Sequence, residues 1–153
     1  MSPHKIKPFI PSILMVLVCL PYIANTNLAF PLNKVSFLTY HFAHINVWHF
    51  LLNATALIYF QPRIKTLLVA IVSASIAPLL ITGSFLLPEP VCGLSGVVFA
   101  AYARKYAVYS KSPVRLLLIN FFLFLVPGYC WGLHLVSFLL AYMIWDILKG
   151  KET

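Results

Sequence analysis

The chain has 153 residues, of which 61% are hydrophobic and 9% are charged, with 11 Lys and Arg residues against 3 Asp and Glu. Soluble domains carry about 45–50% apolar and about 25% charged residues, so this composition indicates an integral membrane protein. Because Glu89, Asp146 and Glu152 are the only acids, aspartyl proteases and proton-coupled carriers, which rely on buried carboxylates, are disfavoured. The net charge of +8 falls in the loops between apolar runs, which argues against nucleic-acid binding.

Six apolar stretches follow one another along the chain, separated by short polar breaks. We predict membrane-spanning helices at about Phe9–Ala24, Val47–Phe60, Thr66–Leu87, Gly93–Lys105 (or one turn beyond Lys105), Leu116–Val126 and Gly132–Leu148. Six spans of about 20 residues use roughly 120 residues, which leaves almost nothing for a soluble domain. The predicted fold is therefore all-α, a polytopic bundle of six transmembrane helices that forms a single membrane domain over residues 1–153.

The basic residues predict which way the bundle faces. With the N-terminus in the cytoplasm, ten of the 11 Lys and Arg residues lie on the inner side and Lys34 alone lies outside, as the positive-inside rule favours. An even number of spans then keeps both termini cytoplasmic. A cleaved signal peptide is the rival interpretation of the first stretch, since Lys5 and Lys7 precede it, but no clean A-x-A cleavage site follows.

Among the polar side chains inside the predicted spans, four are candidates for function: His49, Asn53, Ser95 and His134. The second, fourth and sixth spans all run from the outside inward, so these four residues share the outer half of the membrane. Singly, each has an ordinary structural interpretation, because small and polar residues commonly join helices in membranes. Four at one depth, with complementary chemistry, favour a functional site.

The local pattern is suited to acyl transfer. Ser95 lies between Gly93 and Gly96 at a loop-to-helix junction, where backbone approaches closely and a helix N-terminus offers N–H groups to an oxyanion. His49 and Asn53 are four residues apart and share a helix face, and His134 is the candidate base. Asp146 lies about 18 Å along the helix from His134, so a Ser–His dyad is favoured over a triad, although Glu89 in the preceding outer loop is not excluded by distance.

The motifs His44-x4-His49-x3-Asn53, Gly93-Leu94-Ser95-Gly96 and Gly132-Leu133-His134 occur in this order on alternate spans. This arrangement resembles the rhomboid intramembrane serine proteases. The resemblance implies that Ser95 is the nucleophile and His134 the general base and acid. It also implies that an oxyanion site is formed by His49, Asn53, the Ser95 backbone N–H and Gly93.

The chain departs from the usual rhomboid pattern at several positions. The tyrosine that often stacks on the catalytic histidine is Phe99, and the G-x-x-x-G after that histidine is replaced by Ser137 and Ala141. Gln61-Pro62-Arg63 replaces the usual Gly/Glu pattern that ends the second span. The short chain also resembles the rhombosortase branch, whose members process C-terminal sorting tails.

The resemblance implies a serine endopeptidase whose partners are the transmembrane segment of a membrane-protein substrate and the lipid bilayer. We expect it in a bacterial inner membrane, with no cofactor. The alternative to an enzyme is a non-proteolytic rhomboid-like protein that binds client transmembrane helices. A small carrier is a further alternative, but the inverted repeats or paired broken helices expected of one are not seen in the sequence.

Histidine and cysteine residues offer two further interpretations. A metal site formed by His41, His44 and His49 is disfavoured because no HExxH motif is present, and we expect no metal; His41 and His44 are predicted to bond to loop backbone instead. Cys92 and Cys130 should meet at the outer mouth if Ser95 and His134 meet. We expect two free thiols there, and a disulfide between the two residues is the alternative.

Overall fold

The computed structural model of the protein describes residues 9–32, 34–84, 87, 90–108, 114, 118 and 130–149. Its helices are α1 (Phe9–Cys19, continued by a 3-10 turn at Leu20–Tyr22), α2 (Ser36–Thr39), α3 (Val47–Phe60), α4 (Ile64–Ile81), α5 (Ser95–Val108) and α6 (Trp131–Lys149). Over these ranges extended pairing is limited to two single bridges, Ile23 with His44 and Phe30 with Val91. The predicted all-α class is confirmed for the described residues.

Helix α3 has the predicted bounds because both of its ends are marked in the sequence. The Asn46 side chain accepts the His49 backbone N–H at 2.9 Å, which caps the first turn. At the other end Gln61 takes a left-handed conformation with φ of 46°, and Pro62 follows without an N–H to continue the helix.

The third span, predicted at about Thr66–Leu87, is too long at its C-terminal end, because α4 begins two residues earlier, at Ile64, and ends at Ile81. Two hydroxyl groups satisfy its last carbonyls: Thr82 Oγ1 donates to Pro78 O at 2.8 Å, and Ser84 Oγ donates to Ile81 O at 2.6 Å. Gly83 then turns the chain with φ of +75°. The span was predicted too long because the residues that follow this turn are also apolar, so the hydropathy does not fall where the helix ends.

The structure confirms that the described residues include apolar helices of membrane-spanning length, but it shows fewer of them than the six predicted spans. Two described helical segments, Ile64–Ile81 and Trp131–Leu148, are long and apolar enough to cross a bilayer, and the apolar helices Ile10–Tyr22 and Val47–Phe60 are shorter. The fifth predicted span, Leu116–Val126, lies outside the described residues except for Leu118. The six-span layout and the cytoplasmic termini therefore stay predictions.

Helix α5 is the centre of the bundle, packed against α4 and α6. A Cβ on Gly96 would lie 3.3 Å from Ser137 Oγ on α6 and 3.4 Å from Ala74 Cβ on α4. Ser137 and Ala141 are both fully buried, so the small-xxx-small pair lets the two backbones approach closely, as predicted. Large apolar side chains instead cover the outside of the described helices, as a lipid-facing surface requires, among them Leu68, Val72, Leu80, Met143 and Ile147.

Candidate active site

Ser95 is the first residue of α5, and the turn before it is held by two long-range hydrogen bonds. Gly93 N–H donates to Tyr40 O at 2.9 Å, and Leu94 N–H donates to His44 Nε2 at 3.4 Å. Gly93 has φ of +113°, a backbone conformation that residues other than glycine rarely adopt. The turn therefore fixes the orientation of the backbone directly before Ser95.

A cavity of about 530 Å³ opens beside this turn. Its lining includes Ser95, His134, His49 and Asn53, so the structure brings together the four polar residues that the sequence singled out. They come from α3, α5 and α6 and are separated by up to 85 positions along the chain. No hydrogen bond joins the Ser95 hydroxyl to the His134 ring in this structure, a looseness that is common in catalytic sites without substrate.

His134 is held by an aromatic stack. It is 2% exposed, and its ring lies parallel to that of Phe99, with centroids 4.5 Å apart and planes at 6°. Phe99 is one turn after Ser95 on α5, so the same helix that carries the serine also orients the histidine. The ring that the rhomboid resemblance requires at this position is therefore in place, without the hydroxyl of a tyrosine.

His49 and Asn53 present hydrogen-bond donors to the cavity from one face of α3. Asn53 Nδ2 donates one of its two hydrogens to His49 O at 2.9 Å, which fixes the amide and leaves the second N–H for another acceptor. His49 Nδ1 has no hydrogen-bond partner among the described residues. The Ser95 N–H has no backbone acceptor there either, as expected for the first turn of a helix.

Gly93 is the predicted oxyanion residue that the geometry does not support as a donor, because its N–H is already given to Tyr40 O. Its role is steric. A Cβ on Gly93 would lie 2.5 Å from His49 Cε1 and 2.9 Å from His49 Nε2, so the absent side chain leaves room for the imidazole ring. Gly93 thus shapes the site through space and conformation.

Tyr40 and His44 position the serine turn without lining the cavity, and sequence reasoning did not assign them this role. Tyr40 O–H donates to Ala74 O on α4 at 2.6 Å while its carbonyl accepts the Gly93 N–H. His44 is fully buried, with Nδ1 donating to Phe42 O at 3.1 Å and Nε2 accepting from Leu94. In the sequence, only His44 was marked as a candidate, by its place in the motif with His49 and Asn53. Tyr40 was not marked, because a tyrosine in a loop is also common at a membrane interface.

The sequence model described as Rhomboid domain matches residues 31–151, a span that contains every residue of the cavity lining. The chain belongs to the rhomboid family. Rhomboids are integral membrane proteins, and the family consists in general of intramembrane serine proteases that act on membrane-protein substrates. A comparison with curated proteins found no matching relative.

The remaining described histidines of this rhomboid, His41 and His44, bond to different partners. His44 bonds to loop backbone as predicted, but the prediction for His41 is wrong: its Nε2 lies 2.9 Å from Ser75 Oγ on α4. The segment before α3 passes close enough to α4 for a side-chain partner, which spacing along the chain did not reveal. The two rings serve separate elements, which disfavours the metal-cluster interpretation.

Cys92 and Cys130 both line the rhomboid cavity as thiols, with no disulfide between them. Burial, reinforced by the charge of Cys92, raises the pKa of Cys130 to about 11, and burial likewise raises the pKa of Cys92. A thiol acts as a nucleophile when it ionises. At neutral pH neither of these two thiols is therefore ionised enough to act as a nucleophile.

We expect acid to destabilise this rhomboid through His41 and His44. Burial lowers the pKa of His41 to about 3 and that of His44 to about 4, so the folded state holds both rings neutral. The unfolded chain binds protons below about pH 6.5, and stability is therefore full above that pH and falls as pH drops toward 4. Each histidine contributes a slope of up to about 1.4 kcal/mol per pH unit.

Thermal unfolding of purified protein, followed by tryptophan fluorescence between pH 8 and pH 4.5, measures this loss. His41→Gln should flatten the dependence relative to the unchanged protein, because one of the buried neutral histidines that the unfolded chain protonates is removed. An unfolding temperature that stays level down to pH 4.5 would contradict the assignment of buried neutral rings.

Proposed function

We propose that the protein is an intramembrane serine protease that hydrolyses a peptide bond in or near a substrate transmembrane segment, near the outer face of a bacterial inner membrane. The observation that carries the proposal is the shared cavity of Ser95, His134, His49 and Asn53. Family membership supports the reaction class, and the four residues supply the groups that acyl transfer needs.

In the proposed reaction the Ser95 hydroxyl attacks the scissile carbonyl while the His134 ring takes its proton. The resulting tetrahedral intermediate collapses when His134 returns the proton to the leaving amine. Water then enters the cavity, gives a proton to His134 and attacks the acyl-serine, which releases the second product and restores the hydroxyl. The Phe99 stack supports this role because it holds the imidazole plane while the proton moves.

The oxyanion is proposed to accept hydrogen bonds from His49, from the second N–H of Asn53 and from the Ser95 backbone N–H. These donors converge from a helix face and a helix N-terminus, both fixed before substrate arrives. Preorganised donors of this kind stabilise charge that develops in the transition state, and each is worth about 10²–10³ in rate.

Among the described residues, Asp146 does not complete a catalytic triad in this proposal. None of the described residues that line the cavity is acidic, and Asp146 is an exposed residue twelve positions after His134 on α6. Glu89, which the sequence left open, lies outside the described residues. A dyad is therefore the mechanism that these contacts support.

The cavity is also suited to its proposed substrate. Apolar side chains such as Ile45, Leu52 and Val98 form part of its lining beside the polar groups, and they match the side chains of a transmembrane segment. A helix keeps its carbonyls in hydrogen bonds in the bilayer. The cleaved segment must therefore unwind locally, which favours substrates with helix-weakening residues near the outer face.

Asn53→Ala should lower kcat by about 10²–10³ with little change in KM, because an oxyanion donor acts mainly in the transition state. Cleavage of a fluorogenic transmembrane peptide by protein in liposomes measures both constants. Thr55→Ala is the matched control, since Thr55 is an exposed polar residue of the same helix and should stay within twofold. A loss confined to KM would instead indicate a substrate-binding role for Asn53.

Covalent reaction with a fluorophosphonate probe tests the proposed function directly. The protein in detergent or lipid should be labelled at Ser95, and labelling should compete with a transmembrane substrate. If folded protein takes up no probe and cleaves no membrane substrate, the proposal fails, and the rhomboid that binds client helices without cutting them becomes the better interpretation.

A further inference from the structure

A second cavity lies at the end of the bundle opposite Ser95, where α3 ends, α4 begins and α5 nears its C-terminus. It has a volume of about 260 Å³, and three cationic residues take part in its lining: Arg63, Arg104 and Lys105. None of the described residues around it is acidic. The proposed protease does not use this cavity.

Two of the cations are held in place by aromatic rings. The Arg104 guanidinium carbon lies 5.1 Å from the ring centroid of Trp145, which is itself buried. Lys105 Nζ lies 5.6 Å from the ring centroid of Tyr102, another residue of the lining. Cation–π contacts of this kind fix long side chains in position, and so they maintain positive charge at the cavity.

The start of α4 adds uncompensated donors to the same cavity. Its N-cap residue, Arg63, makes no side-chain capping bond to the first turn, which leaves backbone N–H groups and the positive end of the helix dipole without a partner from that residue. Thr66, three residues on, lines the cavity and is 5% exposed. The hydroxyl of this buried residue is a further group that can donate a hydrogen bond in the cavity.

We propose that this cavity binds a phosphate group, either in the head group of an anionic phospholipid or as free phosphate. Three cations, an uncapped helix N-terminus and a buried hydroxyl form the donor set that a phosphate oxyanion takes. The volume is below the range of about 300–1,000 Å³ found for drug-sized ligands, so a small ionic group fits and a peptide does not. The site is independent of the proposed proteolysis.

The predicted topology makes a lipid the natural source of this phosphate. The positive-inside distribution puts Arg63, Arg104 and Lys105 at the cytoplasmic face, where anionic lipids attract basic residues near a membrane surface. Inorganic phosphate offers the same chemistry without an acyl chain, and the two sources are separated by experiment.

Binding is tested on the full chain, purified in an uncharged detergent and stripped of lipid. Affinities for short-chain phosphatidylglycerol, short-chain phosphatidylcholine and inorganic phosphate are measured by calorimetry and by the rise in unfolding temperature. We expect saturable binding of phosphatidylglycerol or of inorganic phosphate. Phosphatidylglycerol binding that exceeds phosphate binding identifies a lipid head group, and the reverse order identifies free phosphate.

Charge variants decide whether binding is local. Arg63→Gln and Lys105→Gln should each weaken binding about fivefold, the value of one cation near a membrane surface. Lys65→Gln removes the same charge from an exposed residue that does not line the cavity, and it should change affinity less than twofold. Thr66→Val should also weaken binding, because it removes the buried hydroxyl and keeps the shape.

Two results would overturn the proposal. The first is equal weakening by Lys65→Gln and Arg63→Gln, which would mean that general surface attraction explains the binding. The second is the absence of saturable binding by both phosphatidylglycerol and inorganic phosphate. Because Arg63 and Lys105 are exposed residues, their replacement leaves the packing of the bundle intact, and protease activity serves as a check that the variants fold.

Discussion

Ser95→Ala should abolish fluorophosphonate labelling and reduce proteolysis by about 10⁶-fold, the loss seen when a serine protease is deprived of its nucleophile. The fold should tolerate the change, because the Ser95 side chain makes no hydrogen bond to any described residue and lies at the cavity. We expect a stability difference within about 0.5 kcal/mol. Labelling in gel and cleavage of a fluorogenic transmembrane peptide measure the chemistry, and thermal unfolding measures the fold.

His134→Ala should produce a similar loss, and the double variant should be no worse than either single one, because nucleophile and base act as a unit. Ser137→Ala is the matched control: it deletes the same oxygen from a buried serine of α6 that lies outside the cavity lining. Losses that multiply in the double variant would show that Ser95 and His134 act independently, and the dyad would then be wrong.

Gly93→Ala should lower kcat at least about 10²-fold, although the side chain it adds is a single methyl group. The new Cβ would lie 2.5 Å from His49 Cε1, whereas ordinary contacts are 3.4–4 Å. The imidazole ring or the serine turn must therefore move by about 1 Å, and displacements of that size at a catalytic group cost about 10² in rate. Steady-state cleavage and probe labelling rates measure the effect.

Gly83→Ala separates this collision from backbone strain. Gly83 also has a positive φ, but a Cβ there would meet nothing within 4 Å. Both substitutions should cost about 1–2 kcal/mol of stability from conformation, and only Gly93→Ala should impair catalysis. Adding His49→Ala to Gly93→Ala should recover the part of the stability that the clash removes, but neither the conformational cost nor the activity, since the clash disappears together with a donor. Equal activity losses in the two glycine variants would contradict the steric role.

Hydropathy and helix-end signals were enough to predict most of the described helices. Val47–Phe60 was predicted because its apolar run stops at Gln61-Pro62-Arg63, whereas the cap that Asn46 provides at its start came from the structure. The third span was overextended because apolar residues continue after Ile81, while the hydroxyl groups of Thr82 and Ser84 end the helix by bonding to its last carbonyls. Hydrophobicity does not report where backbone carbonyls find their partners.

The candidate site was predictable in its residues and less so in their roles. Local spacing was sufficient for His49 and Asn53, which are one helical turn apart and share a face. The hydrogen bond from Leu94 to His44 joins residues 50 positions apart, and no local pattern encodes it. The same holds for Gly93, whose N–H is used by Tyr40, so a donor counted from the sequence was already engaged in the fold.

Tyr40 connects helix α4 with the turn that precedes Ser95. Its hydroxyl is bound to α4 and its carbonyl to the turn before Ser95, so the loop that carries it is mechanically linked to the nucleophile. In the proposed protease, we therefore expect redesign of residues 36–44 to change turnover through the turn that carries Ser95. Diversification of α3 at Leu52, an exposed cavity residue, offers a route to new specificity that leaves this linkage untouched.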